Sequence, residues 1–168
     1  HSFPTRRSSD LLAVGPRVLS FDGGYHGLSH GPLAACGLSP RFREPFAAQL
    51  GTHVTFAEYP KDEPGLARVL EEVDAFFDAG AGSILVEPVL GRGGCVVPPA
   101  GFLPELAARA KARGGLLLVD EVWTGMGRSG ARILAVREGV APDLVMLGKG
   151  LGGGAPISAC IGRGSGME

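Results

Sequence analysis

"SILVEPVLGRGGCVVPPAGFLPELAARAKARGGLLLVDE", residues 83–121, packs two apolar runs around one helical stretch. "SILVEP" (83–88) reads as a fully apolar strand that ends in Glu87, and "LLLVDE" (116–121) as a second buried strand. Between them, "GFLPELAARAKARGG" (101–115) reads as a helix, with Pro104 in its first turn and glycines at its end. Apolar strands separated by helices are the pattern of an α/β fold with a mainly parallel sheet.

The same alternation extends in both directions. Upstream, "RVLSF" (17–21) is a short strand closed by "DGGYHG", and "HVTFAEYP" (53–60) is a second strand bounded by proline. "PGLARVLEEVDAFFDAG" (64–80) carries Leu66, Val69, Leu70, Val73, Phe76 and Phe77 at the spacing of one helical face. Downstream, "ARILAVREGV" (131–140) reads as a short helix, "DLVMLG" (143–148) as a strand and "ISACIG" (157–162) as a last strand. No internal repeat and no interdomain linker interrupts the series.

Composition narrows the function classes. The 168 residues are 45% hydrophobic and 20% charged, which places the chain among globular proteins and not disordered ones. A net charge of −1 gives no electrostatic case for nucleic acid or an anionic membrane, and no apolar run reaches the length of a membrane span. Cys36, Cys95 and Cys160 show no metal spacing; their odd number and apolar neighbours point to buried thiols in a reducing, cytoplasmic setting. Residues 1–12 fit neither strand nor amphipathic helix and resemble translated adapter sequence; they are expected to be non-native or disordered. Residues 13–168 then read as an incomplete domain. "ISACIG" is expected to lack a strand neighbour, and the chain alone to be poorly soluble and without catalytic activity.

Polar residues fall where such folds bind ligands. Glu87, Asp120 and Lys149 each end an apolar strand, and ligands of open α/β sheets sit outside those ends. "LLLVDE" by itself could be a Walker B strand, but that reading needs a GxxxxGK[ST] loop, and "GKGLGGG" around Lys149 has no following serine or threonine. "GMGRSG" (125–130) matches GxGxxG, yet lies several residues beyond its strand. Lys61 lies in a polar loop and Lys111 on the solvent side of a helix, whereas Lys149 is set among apolar and glycine residues. An arginine there could not lose its proton and attack a carbonyl; a lysine in apolar surroundings can. A lysine that forms a Schiff base, a carboxylate that keeps a pyridinium nitrogen charged and an aromatic to lie over the ring together suit pyridoxal 5'-phosphate.

"YHG" (25–27), "EPVLGRGG" (87–94), "PPAGFL" (98–103), "LLLVDEVWTGMGRSG" (116–130) and "GVAPDLVMLGKGLGGGAPISACIG" (139–162) resemble, in order and spacing, successive signature blocks of the class III aminotransferases. The resemblance covers nearly everything from Val18 onward. It implies a fold type I (aspartate aminotransferase-like) architecture, a homodimer, and reaction of an amine or ω-amino acid donor with an oxo-acid acceptor. It implies that Lys149 is the Schiff-base lysine and Asp120 the pyridinium partner. Tyr25 would stack on the ring with His26 beside it, Val122 would pack on the opposite face, and Glu87, in the block behind Asp120, would support the site. Trp123 and Arg92 depart from the resembling family: many members carry Gln in place of Trp123, and ornithine- and 4-aminobutyrate-type members carry Glu in place of Arg92, in a loop that handles the substrate carboxylate. Both are expected to face the substrate and to shift the donor away from ornithine and 4-aminobutyrate. An epimerase or aminomutase of the same family stands as an alternative, as does a non-catalytic fragment or ATP-binding domain.

Overall fold

The computed structural model describes residues 15–80 and 82–162; the expectation for residues 1–12 lies outside them. Six strands form one sheet: β1 (Arg17–Phe21), β2 (Val54–Ala57), β3 (Gly82–Val86), β4 (Leu116–Asp120), β5 (Leu144–Leu147) and β6 (Ala159–Gly162). Their order across the sheet is β2-β1-β3-β4-β5-β6. The first four pairings are parallel and only β6 runs antiparallel, against β5. The expectation that "ISACIG" would have no neighbour is therefore corrected. The glycine turn after β5 reverses the chain, and β6 pairs Met146 with Cys160 and Leu147 with Ala159.

Five helices accompany the strands: α1 (His30–Leu33), α2 (Pro40–Arg43), α3 (Glu63–Asp78), α4 (Phe102–Ala112) and α5 (Leu134–Arg137). Short 3-10 turns follow at Glu44–Phe46 and Lys149–Gly152. Helix α3 starts where the Asp62 side chain accepts from Gly65 N–H at 2.7 Å, with Pro64 in the first turn, and Gly80 follows its end at φ +129°. Leu66, Val69, Val73, Phe76 and Phe77 are buried along its inner face, while Leu70 is only half-buried.

The expected helix over 131–140 shrinks to the four residues of α5. The carbonyls of Ala131 and Arg132 instead accept from Gly127 and Met126 N–H, so those two residues close the preceding loop. The 33–36 stretch was not assigned a role from sequence. It covers the far side of β1, where buried Ser20 Oγ donates to Ala35 C=O at 2.9 Å.

The core lies between the sheet and the pair α3 and α4. Leu19, Phe21, Ile84, Val86, Leu117 and Val119 point into it from three adjacent strands. At one end Phe21, Tyr59 and Phe102 meet edge to face, with centroids 5.9, 5.5 and 5.2 Å apart. The opposite face is less covered: Leu85, Leu118 and Met146 are half-buried. Alternation along each strand puts Asp120 on that opposite face, since it pairs in register with Met146, next to Val119 and Val145 of the core face.

Phe102 has no exposed surface and touches both other rings. Phe102→Ala should cost about 3–5 kcal/mol of folding stability, read as a lowered denaturant midpoint with unchanged slope. A loss below about 1 kcal/mol would show that this aromatic trio is not a centre of the core.

Candidate active site

Parallel pairing brings the ends of β1, β3, β4 and β5 to one rim of the sheet. β2 lies on one side of β1 and β3 on the other, so the strand order reverses direction at β1. A crevice opens at such a reversal. It is a cleft of about 590 Å3, within the usual range for small-molecule sites. Tyr25, His26, Glu87, Arg92, Asp120, Val122, Trp123 and Lys149 all line it, with Gly27, Gly91 and Cys95. Every residue singled out as a candidate thus shares one cleft, drawn from four separate strand ends.

Asp120 ends β4 and is buried. Its Oδ1 accepts from Val122 N–H at 3.0 Å, and its Oδ2 lies 2.8 Å from His26 Nδ1. With Nδ1 as the donor, the imidazole holds the carboxylate from the side opposite the backbone contact. The His26–Asp120 contact joins residues far apart in sequence and was not foreseen; His26 was expected only to sit beside Tyr25.

Glu87, one residue past β3, is the second buried carboxylate. Tyr25 N–H donates to its Oε1 at 2.7 Å and Gly91 N–H to its Oε2 at 3.1 Å. One side chain therefore fastens the loop after β1 to the loop after β3. The two loops also touch directly: a Cβ on Gly93 would sit 2.6 Å from the Gly23 carbonyl, so glycine is required there. Below the pair, the Tyr59 hydroxyl donates to the carbonyls of Glu87 and Pro88, both at 3.0 Å, and burial raises its pKa far beyond the ordinary tyrosine range.

Glu121, next to Asp120, points the other way and is fully buried. Thr124 Oγ1 donates to its Oε2, and Ala135 N–H to its Oε1, both at 2.8 Å. These bonds set the loop that carries Val122 and Trp123 into the cleft. Sequence reading passed over Glu121 and Thr124. The available signal was the tandem acid in "VDEV": successive side chains at a strand end face opposite ways, so only one of the two acids can reach the cleft.

Lys149 departs from expectation in its surroundings. It is exposed at the cleft wall rather than enclosed by apolar side chains. Its φ of +41° places it in the left-handed region at the head of a 3-10 turn. A non-glycine residue there costs roughly 1–3 kcal/mol and persists mainly at functional sites. The cysteine expectation is corrected as well. Only Cys36 is buried; Cys95 sits at a loop tip and Cys160 on an outward-facing position of β6, both exposed. Among the described residues no helix is long and apolar enough to cross a membrane.

The family model for "Aminotransferase class-III" matches residues 4–168. The chain belongs to the class III aminotransferases. It is 40% identical over 149 residues to the acetylornithine aminotransferase of Methanopyrus kandleri, covering 88% of this chain and 35% of that protein. The chain thus spans about a third of the length of the curated relatives it matches. An (S)-enantioselective omega-transaminase from Thermomicrobium roseum superposes with a TM-score of 0.81 at 31% identity, over 94% of this chain and 38% of the other. An amine transaminase from an uncultivated Pseudomonas species, solved with pyridoxal phosphate bound, superposes with a TM-score of 0.82 at 29% identity, over 93% and 39%. The mostly parallel sheet is that of fold type I, and pyridoxal phosphate is the cofactor of this aminotransferase family. With the family settled, the ATP-binding reading of "LLLVDE" falls away.

The residues present fit that cofactor. The cleft offers a primary amine at Lys149, an aromatic face at Tyr25, and in Asp120 a buried carboxylate whose two protein contacts leave acceptor capacity for a ring N–H.

Burial is the largest influence on Glu87 and pushes its carboxyl above the usual 4.5, against the two backbone N–H groups and His26, which pull it down. A carboxyl raised in the folded state binds its proton more tightly folded than unfolded, so its stabilising contribution is complete below the unfolded value. That contribution is lost as pH rises through the folded value. The stability difference between the wild type and Glu87→Gln should therefore shrink or reverse as pH is raised from about 4 through that window, as read by thermal unfolding. A difference flat in pH would show that Glu87 does not titrate as the buried geometry requires.

Proposed function

We propose that the protein moves an amino group from an amine or ω-amino acid donor to an oxo acid, with Lys149 carrying pyridoxal phosphate in the cleft. The observation that carries this reading is the convergence of Lys149, Asp120 and Tyr25, from three different strand ends, on one cavity. Bound there, the cofactor supplies an electron sink for the carbon that bears the donor's amino group.

The chain's own groups divide the remaining work. Lys149 Nζ would hold the cofactor and, once freed, would take the proton from the donor's amino-bearing carbon and deliver it onward. Asp120 stabilises positive charge on the ring nitrogen through a charge-assisted hydrogen bond. His26 and Val122 N–H keep that carboxylate from turning away. Tyr25 and Val122 both contribute to the walls of the cleft and would exclude water from the reacting atoms. An oxo acid then receives the amino group by the same steps in reverse. A second copy of the chain completes the working unit in this reading.

Two substitutions in the full-length protein test the assignment. Lys149→Ala should abolish the visible cofactor band that borohydride traps on the enzyme; label appearing on Lys61 or Lys111 instead would refute the role of Lys149. Asp120→Asn preserves shape while removing charge, and turnover should fall by about 100-fold or more with an unchanged circular dichroism spectrum. Near-normal turnover would remove Asp120 from the mechanism.

A further inference from the structure

Four charged side chains line the cleft: Glu87, Arg92, Asp120 and Lys149. Glu87 is occupied by two backbone N–H groups, and Asp120 by His26 and Val122. Lys149 has its role in the reading above. Arg92 is the charge left without one. Among the described residues no carboxylate lies within ion-pair distance of its guanidinium.

Arg92 is held in place without spending its donors. Its Cζ lies 4.4 Å from the centroid of the Tyr25 ring, a cation–π contact that uses the ring face and none of the five N–H groups. The backbone beneath it is equally fixed. Leu90 and Val96 form an isolated antiparallel bridge, with N–H to C=O distances of 3.0 and 3.1 Å, so residues 90–96 make a small closed hairpin. Leu90 is buried in the core, and Gly91 N–H is pinned by Glu87. Gly91 packs so closely on Trp123 that a Cβ would come within 3.3 Å of the indole. Arg92 is thus presented from a braced loop, beside the ring proposed to cover the cofactor, with its hydrogen-bonding edge open to the cleft.

We propose that Arg92 is an anion-binding residue of this site, which takes a carboxylate of the substrate through a paired guanidinium–carboxylate hydrogen bond. The assignment rests on the cleft being the reaction site argued above. It names the substrate class: at least one reactant carries a carboxylate, placed within reach of Arg92 while its reacting carbon faces Lys149. A guanidinium also repels a second ammonium group, so donors with two free amines are disfavoured at the same spot. An oxyanion of the cofactor's phosphate has the same chemistry as a carboxylate, and the test must separate the two.

The probes are glutarate, an unreactive dicarboxylate, and glutaramide, its uncharged counterpart. Each is titrated calorimetrically into the full-length protein with and without pyridoxal phosphate, and cofactor affinity is measured separately by equilibrium dialysis. Arg92→Gln should weaken glutarate binding roughly 10- to 100-fold, the range for losing a charge-assisted pair. It should leave glutaramide binding and the cofactor dissociation constant within about twofold, a change too small to reflect a lost charged contact. Arg92→Lys should recover only part of the loss, because an ammonium cannot make the paired contact. With an oxo-acid acceptor, KM should rise while kcat changes little.

Unchanged glutarate binding in Arg92→Gln overturns the proposal. Weakened cofactor binding with unchanged glutarate affinity also overturns it and makes Arg92 a phosphate ligand. An equal loss for glutarate and glutaramide overturns it too, since that pattern reports a disturbed loop. Failure of the underlying functional reading looks different: wild-type Lys149 would take no borohydride label, while the glutarate arms in the cofactor-free protein would still report on Arg92.

Discussion

Parallel alignment of β1, β3, β4 and β5 is the constraint on which every other feature of this molecule depends. Because the four strands run the same way, all of their C-terminal ends open on one rim. Because the chain leaves β1 for β2 on one side and then crosses to β3 on the other, that rim contains a crevice rather than a continuous wall. The core-facing residues exist to hold this alignment: shifting one strand by a residue would turn its apolar set out of the core and its terminal acid away from the cleft.

Charge inside the rim is handled consistently. Glu87, Asp120 and Glu121 are buried carboxylates, and each is bonded at both oxygens. A buried carboxylate with a free oxygen would be expensive, and each is anchored by at least one backbone N–H, from a loop for Glu87 and Asp120 and from α5 for Glu121. The three anchored loop segments are the loop after β1, the hairpin after β3 and the loop between β4 and α5. The two side chains that carry positive charge, Arg92 and Lys149, are left toward solvent and toward whatever enters. Fixed acids and free basic side chains make an arrangement suited to an anionic cofactor.

Much of this was legible in the amino-acid order, for identifiable reasons. The strands announced themselves as short apolar runs, and α3 and α4 through helical spacing and proline near the start. Glu87, Asp120 and Lys149 stand out because a polar group closes an apolar run, whereas the roles of Tyr25, His26, Arg92, Val122 and Trp123 come with the family resemblance. Other features carry no such mark. Helices α1 and α2 are four residues long, too short for any periodicity to emerge. Helix α5 lost its first turn to carbonyls recruited by Met126 and Gly127. The left-handed backbone of Lys149 is a single angle that neighbouring residue types do not reveal. The His26–Asp120 contact required knowing that β1 and β4 open on the same crevice, although β3 lies between them.

The double engagement of Glu87 has a consequence for how this site can change over evolutionary time. Its two oxygens make the loop after β1 and the hairpin after β3 a single mechanical unit, reinforced where Gly23 meets Gly93. Substitutions in residues 22–27 and 89–96 will therefore be epistatic, with energies that do not sum. A change that shifts Arg92 also tilts Tyr25, and one that re-seats Tyr25 moves Arg92. On the roles proposed for Arg92 and Tyr25, substrate preference and cofactor grip would change together rather than separately, except through the Trp123 loop, which is moored to Glu121 instead.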